Sequence, residues 1–109
     1  MQIKYCQNLL WNAQRKGKGI IYKRINPITS EEYVGQSKSP ERFNTRQIEH
    51  NKRHNTKFEY DILDKNIPKE KLDFFEQKRI NEAGGIEKLS NKRNQMSETR
   101  YKATEALFK

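Results

Sequence analysis

The chain has 109 residues, 23 Lys and Arg against 14 Asp and Glu, and 32% hydrophobic residues, for a formal net charge of +9. That length supports one domain and excludes a two-domain enzyme built around a large organic cofactor. The charge favours a polyanionic partner, because Lys and Arg that neutralise phosphates release condensed counterions, and this release drives most non-specific nucleic-acid binding.

Residues 1–18 hold Lys4, Arg15, Lys16 and Lys18 and no acid, and Leu9, Leu10 and Ala13 predict a short helix stopping near Gly17. This is a basic N-terminal extension. The single Cys6 excludes an internal disulfide framework and fits a reducing destination. Gly19 to Ile25 (G-I-I-Y-K-R-I) is β-branched and aromatic, which predicts a strand. Asn26-Pro27-Ile28-Thr29-Ser30 reads as a turn, and Glu32-Tyr33-Val34-Gly35-Gln36 as the return strand of a hairpin. Ser39-Pro40-Glu41 is an N-cap and first turn, so a helix is expected over about 40–54. From Lys57 to Asp64, Phe58, Tyr60 and Ile62 alternate with Glu59, Asp61 and Leu63, predicting a third strand. Ile67-Pro68 opens a second helix, roughly 68–83, closed by Gly84-Gly85. Asn91 to Met96 reads as a loop and 97–108 as a last helix.

The order is β-β-α-β-α with terminal helices. It predicts an α+β domain over 19–96, a three-stranded mixed or antiparallel sheet flanked by helices, with 97–109 as a C-terminal helix or tail. Leu, Ile, Val and Phe number 22, near the ~20% at which charged chains stay unfolded, but they are clustered, so the core is thin rather than missing. No apolar run approaches the ~18 residues of a membrane span, and no signal-peptide apolar core follows the N-terminus. Positive residues spread along the whole chain, which favours nucleic acid over a membrane surface.

Glu76 is the most telling position. Leu72, Glu76 and Ile80 recur at i, i+4 and i+8, with Phe75 and Ala83 nearby, so the carboxylate falls on the face that should be buried. A buried carboxylate needs a cation, a metal or donors; a salt bridge at the edge of the apolar stripe meets that need as well as a metal does. Arg46 and His50 lie four apart on the 40–54 helix and stack on one face. They set a planar fork suited to phosphate oxygens beside a group that transfers protons near neutrality. An exposed basic helix face is the plain alternative. His50 and His54 form an H-x-x-x-H pair, but no Cys, third His or adjacent Glu completes a zinc set. Tyr22 and Tyr33 can share a sheet face and present two phenols to one ligand, or simply pack together. Gly35 marks a place where backbone or ligand comes close.

Together these elements resemble the GIY-YIG nucleases. Ile21 to Pro27 (I-Y-K-R-I-N-P) and Tyr33 to Ser37 (Y-V-G-Q-S) are similar to that family's paired strands. Arg46 to His50 (R-Q-I-E-H) resembles its R-x-x-x-H helix, Phe75 to Ile80 (F-E-Q-K-R-I) its glutamate helix, and Asn91 to Asn94 (N-K-R-N) sits where it carries a late Asn. The likeness covers about Gly19 to Met96. The first motif departs from the pattern, with Gly19 displaced by one residue or Ile20 in place of the Gly. The stretch from Gly35 to Arg46 is longer than in the shortest members, which leaves Arg42 as a rival for the Arg role. The late Asn is Asn91 or Asn94.

The resemblance implies a metal-dependent endonuclease. Tyr22 would act as base or orient the attacking water, and Arg46 with Tyr33 would hold the scissile phosphate. His50 would assist proton transfer or polarise Tyr22, and Glu76 would bind a single Mg²⁺ or Mn²⁺. Asn91 would complete the catalytic set; Lys23, Gly35, Arg42 and Asn94 would contact substrate. Arg46, the metal and Lys23 would have to favour the Tyr22 phenolate against its ordinary pKa of ~10.

The order of Gln36 to Phe43 (Q-S-K-S-P-E-R-F), Glu49-His50-Asn51, Gly84-Gly85 and Asn91 to Ser97 looks like the C-terminal nuclease domains of bacterial polymorphic toxins, both contact-dependent and secreted. That implies a monomeric domain delivered as part of a larger protein into the cytoplasm of a target cell. An acidic immunity protein would restrain it through charge complementarity. DNA is the expected substrate and structured RNA such as tRNA the alternative. The competing classes are a restriction or repair endonuclease with the same site, and a non-catalytic nucleic-acid-binding module in which Tyr22, Arg46 and Glu76 have no reason to converge.

Overall fold

A computed structural model describes residues 17–91 and 93–107 of the chain. The predicted N-terminal helix around Leu9, Leu10 and Ala13 lies outside the described residues. Three strands, β1 (Gly19–Ile25), β2 (Glu32–Ser37) and β3 (Glu59–Ile67), form one sheet in the order β2-β1-β3, every pairing antiparallel. Helix α1 (Pro40–His54) joins β2 to β3, and α2 (Leu72–Glu82) and α3 (Glu98–Leu107) follow. The expected α+β class and element order are therefore those of the chain. No helix among the described residues is long and apolar enough to cross a membrane.

Local chemistry sets the boundaries. In the hairpin turn Asn26 Oδ1 accepts from the Ile28 and Thr29 amides, at 2.9 and 3.2 Å, and Ser30 takes a left-handed φ of 67°. Such an Asx turn is what Asn before Pro favours. Ser39 Oγ accepts from the Arg42 amide at 3.2 Å with Pro40 in the first turn of α1, and Asn55 ends that helix in the left-handed region. A 3₁₀ turn over Lys69–Lys71 delays α2, which begins at Leu72 rather than at 68. Gly84 and Gly85, at φ 100° and 93°, close it, the Gly85 amide reaching back to the Ile80 carbonyl at 2.9 Å.

Strand β3 departs from the expected alternation. Ile21 pairs with Asp64 but Tyr22 with Ile62, so Leu63 is an extra residue in a bulge. The bulge reverses facing: Ile62 is half exposed, whereas Leu63 packs against the core and the strand continues to Ile67.

The sheet is buried on both faces. On one, Ile21, Val34 and Ile67 pack with Leu72 and Ile80 of α2; on the other, Ile20 and Tyr22 pack with Phe43 of α1. Burying side chains of this size contributes about 1.5–3 kcal/mol each, which lets a thin core hold a charged chain. Helix α2 buries its predicted Leu72–Glu76–Ile80 face and, in addition, Phe74 and Gln77. Tyr101 of α3 stacks on Phe74 at 4.9 Å, and the Gln77 side-chain carbonyl accepts from the Gln95 and Met96 amides at 2.7 and 2.9 Å.

Candidate active site

Strand β2 lies at the edge of the sheet, and the site is assembled across it. Tyr33 and Gly35 share the α1 face with Tyr22, because Tyr22 pairs with Gly35. Gln36, one residue on, turns to the α2 face, where its Nε2 donates to Glu76 Oε1 at 2.8 Å and to Asp73 Oδ1 at 3.0 Å. A cavity of about 760 Å³ opens over this edge, lined by Tyr33, His50, Glu76 and Asn91 among the predicted site residues. Three elements from opposite sides of the sheet thus meet in one concavity.

Tyr22 lies directly behind the lining. Its ring is fully buried, 6.5 Å from Tyr33, 6.4 Å from His50 and 4.9 Å from Phe43 between ring centroids. Glycine at 35 makes this possible. A Cβ there would stand 2.6 Å from both Cζ and Oη of Tyr22 and 2.8 Å from Cε1 of Tyr33, closer than any side chain tolerates. The close approach expected at Gly35 is that of the Tyr22 phenol. The Tyr22 hydroxyl and His50 Nδ1 are buried with no hydrogen-bond partner among the described residues. Buried polar atoms are nearly always paired, so both are poised for a ligand or water.

The electrostatics follow from burial. Withdrawal from water pushes the Tyr22 phenol well above the usual range, and Tyr33 and Glu76 add to the rise while Arg46 and Arg24 offset part of it. Without a metal ion, desolvation outweighs both guanidinium groups, so Arg46 and Arg24 by themselves leave Tyr22 a protonated phenol. Tyr33 shifts the same way, through burial and then Glu76. Burial, then Arg24, Arg46, Arg53 and His54, push His50 down to about 4, so its imidazole is neutral at pH 7. Glu76 is pushed up to about 7, first by burial and then by Asp73, against the Gln36 hydrogen bond and Arg46.

Arg46 is half-buried and its field reaches Tyr22, Tyr33, His50 and Glu76. Arg42, its rival in the sequence, is exposed one turn earlier, where its amide serves the Ser39 cap. Lys23 is not brought to the site. It alternates with Tyr22 to the other face of β1 and pairs with Glu32 at 3.5 Å. The two late asparagines have structural partners. Asn91 Oδ1 accepts from the Val34 amide at 2.9 Å and its Nδ2 donates to the Val34 carbonyl at 2.8 Å, whereas Asn94 Oδ1 accepts from Gln77 Nε2 at 2.9 Å. Two neighbours escaped the sequence reading. Gln36 was visible as the residue after Y-V-G, and Arg24 as the residue two beyond Tyr22 on a period-two strand.

Among the described residues no group of three or more His, Cys, Asp or Glu could hold a metal ion. Glu76 nevertheless suits one cation. It is a buried carboxylate that, among the described residues, receives one hydrogen bond, on Oε1, and makes no ion pair. Mg²⁺ is ordinarily held through one or two carboxylates, waters and substrate phosphate, and this donor set fits that pattern. No family model matches the chain, and no curated protein or solved structure matches it either.

Proposed function

We propose that the chain is a divalent-metal-dependent endonuclease that hydrolyses phosphodiester bonds with a GIY-YIG-type site. The observation that carries this reading is Glu76: a buried carboxylate without a cation partner among the described residues, facing one cavity with Tyr33 and His50 and backed by Tyr22. A salt-bridged structural glutamate would have a guanidinium or ammonium against it, and a simple nucleic-acid binder gains nothing from an acid in its cleft.

A Mg²⁺ or Mn²⁺ held by Glu76 would polarise a phosphoryl oxygen and steady the departing one. The protein's own groups do the rest. Arg46 neutralises the phosphate from the α1 side. Tyr22 and Tyr33, both protonated, orient the phosphate and the attacking water as hydrogen-bond donors. His50, neutral and with Nδ1 unpartnered, is the group able to accept the proton from that water. Water forms the new P–O bond as the old one breaks, and the leaving oxygen takes up a proton.

The net charge of +9 supports a polynucleotide substrate, which this reading takes to be DNA. It also takes the domain to be the toxic tip of a larger bacterial protein, neutralised by an acidic immunity protein. The test is incubation of plasmid and total RNA with Mg²⁺ or with chelator. Metal-dependent nicking of plasmid into a smear is expected; degradation of RNA alone transfers the reading to an RNase toxin, and discrete DNA fragments to a restriction enzyme. Binding with no cleavage under any divalent ion overturns it in favour of a non-catalytic module.

A further inference from the structure

Arg24 is part of the I-Y-K-R-I-N-P strand, but the GIY-YIG resemblance gives it no role, and it lines the same cavity as Glu76. It shares the Tyr22 face of β1 and stands opposite Tyr33 in the hairpin register. Its guanidinium carbon lies 4.4 Å from the Tyr33 ring centroid and 4.4 Å from that of Phe58, so the group is held between two aromatic rings. A guanidinium stacked this way has its faces covered and its N–H edges free, because all five donors lie in its plane. No acid takes them up. Among the described residues the ion pairs belong to Lys23, Arg79 and Lys102, and Arg24 makes no hydrogen bond.

The cavity around Arg24 holds more basic than acidic side chains, its carboxylates being Glu31 and Glu76. Arg53, His54 and Arg93 line the same cavity, and Arg24 and Arg53 both act to keep His50 unprotonated. None of these basic groups makes an ion pair among the described residues, and stacking between the two rings holds the Arg24 guanidinium in place. An anion is the ligand that relieves this arrangement. Arg24 stacks on Tyr33, whose ring centroid lies 6.2 Å from that of His50, so an anion on Arg24 would sit beside the phosphate that Arg46 and Glu76 would serve.

We propose that Arg24, clamped between Tyr33 and Phe58, binds a backbone phosphate flanking the scissile one, so that the cavity takes consecutive phosphates of a polynucleotide strand. The inference rests on the nuclease reading for the word scissile, and on geometry alone for the phosphate.

The test has a binding arm and a cleavage arm. With chelator present, affinity for a short duplex is measured across salt concentrations for wild type, Arg24→Met and Arg24→Lys. Arg24→Met is expected to bind about tenfold more weakly and to lower the slope of log K against log salt by about one, the loss of one phosphate contact; Arg24→Lys keeps the slope. In the cleavage arm, Arg24→Met loses at least tenfold in kcat/KM on an oligonucleotide but nothing on a nitrophenyl ester of thymidine monophosphate, which has no flanking phosphate. A neutral methylphosphonate beside the scissile linkage slows wild type and leaves Arg24→Met unaffected. An unchanged salt slope, equal losses on both substrates, or wild type indifferent to neutral linkages on either side overturns the proposal. The last experiment needs no variant, so it decides even if Arg24→Met fails to fold. If wild type cuts nothing, a slope reduced by one sustains the phosphate site while the nuclease reading falls.

Discussion

Replacing Glu76 by Gln separates what the carboxylate does for the fold from what it does for chemistry. Glu76 is 4% exposed, and its pKa moves from 4.5 up to about 7. At about 1.4 kcal/mol per pH unit, that rise corresponds to about 3 kcal/mol of stability withheld by the ionised form. The sign follows from proton counts. Between pH 4.5 and 7 the unfolded chain has released the proton that the folded chain still holds, so stability falls as pH rises through this window. Below 4.5 the cost is absent, and above 7 it is complete. Gln keeps the shape and can still accept from Gln36 Nε2. Glu76→Gln should therefore equal wild type at pH 4.5 and exceed it by about 3 kcal/mol at pH 8, read by urea unfolding followed by far-ultraviolet circular dichroism. Mg²⁺ should stabilise wild type at pH 8 but not the variant, and the variant should not cleave. A stability difference that does not change with pH, or a variant weaker than wild type at pH 8, would refute an uncompensated buried charge and with it the cation-binding role.

Three further outcomes follow from the same geometry. With Glu76 titrating at about 7 and its ionised form needed for the metal, cleavage at subsaturating Mg²⁺ should fall about tenfold per pH unit below 7; a rate flat down to pH 5 would contradict this. Tyr22→Phe removes a buried hydroxyl that has no partner among the described residues, so unfolding should show stability unchanged or raised by about 1 kcal/mol while cleavage drops at least a hundredfold; a clear loss of stability would mean the hydroxyl is structurally bonded. Asn91→Ala strips both hydrogen bonds from buried Val34 and should cost about 1–3 kcal/mol, with kcat retained at temperatures where the fold persists. A stable but inactive Asn91→Ala would give Asn91 a direct chemical part.

Where local chemistry decides conformation, the sequence was legible. The hairpin from Gly19 to Gln36, the Ser39-Pro40 helix start and the Gly84-Gly85 stop each follow from residues within a few positions of one another. The Leu72–Glu76–Ile80 face was legible for the same reason. What escaped depends on distant partners. Phe74 and Gln77 are absent from the predicted Leu72–Glu76–Ile80 face and are buried beside Tyr101 and the Gln95–Met96 backbone. The bulge at Leu63 arises from pairing with β1, and no alternation within 57–64 announces it. Within the site, spacing located Tyr22, Tyr33, His50 and Glu76, but strand parity decides between Lys23 and Arg24, and only pairing geometry shows that both amide atoms of Asn91 are already engaged.

A functional cleft built over the rim of a sheet ordinarily leaves that rim open to recruitment by another polypeptide, the usual route to fibres and swapped dimers. Here two neighbours cover it: the Asn91 carboxamide meets the outward N–H and C=O of Val34, and the Ser90 amide caps the Glu32 carbonyl at 2.7 Å. Two consecutive residues thereby stand in for a fourth strand, and the space such a strand would have filled is left to the cavity.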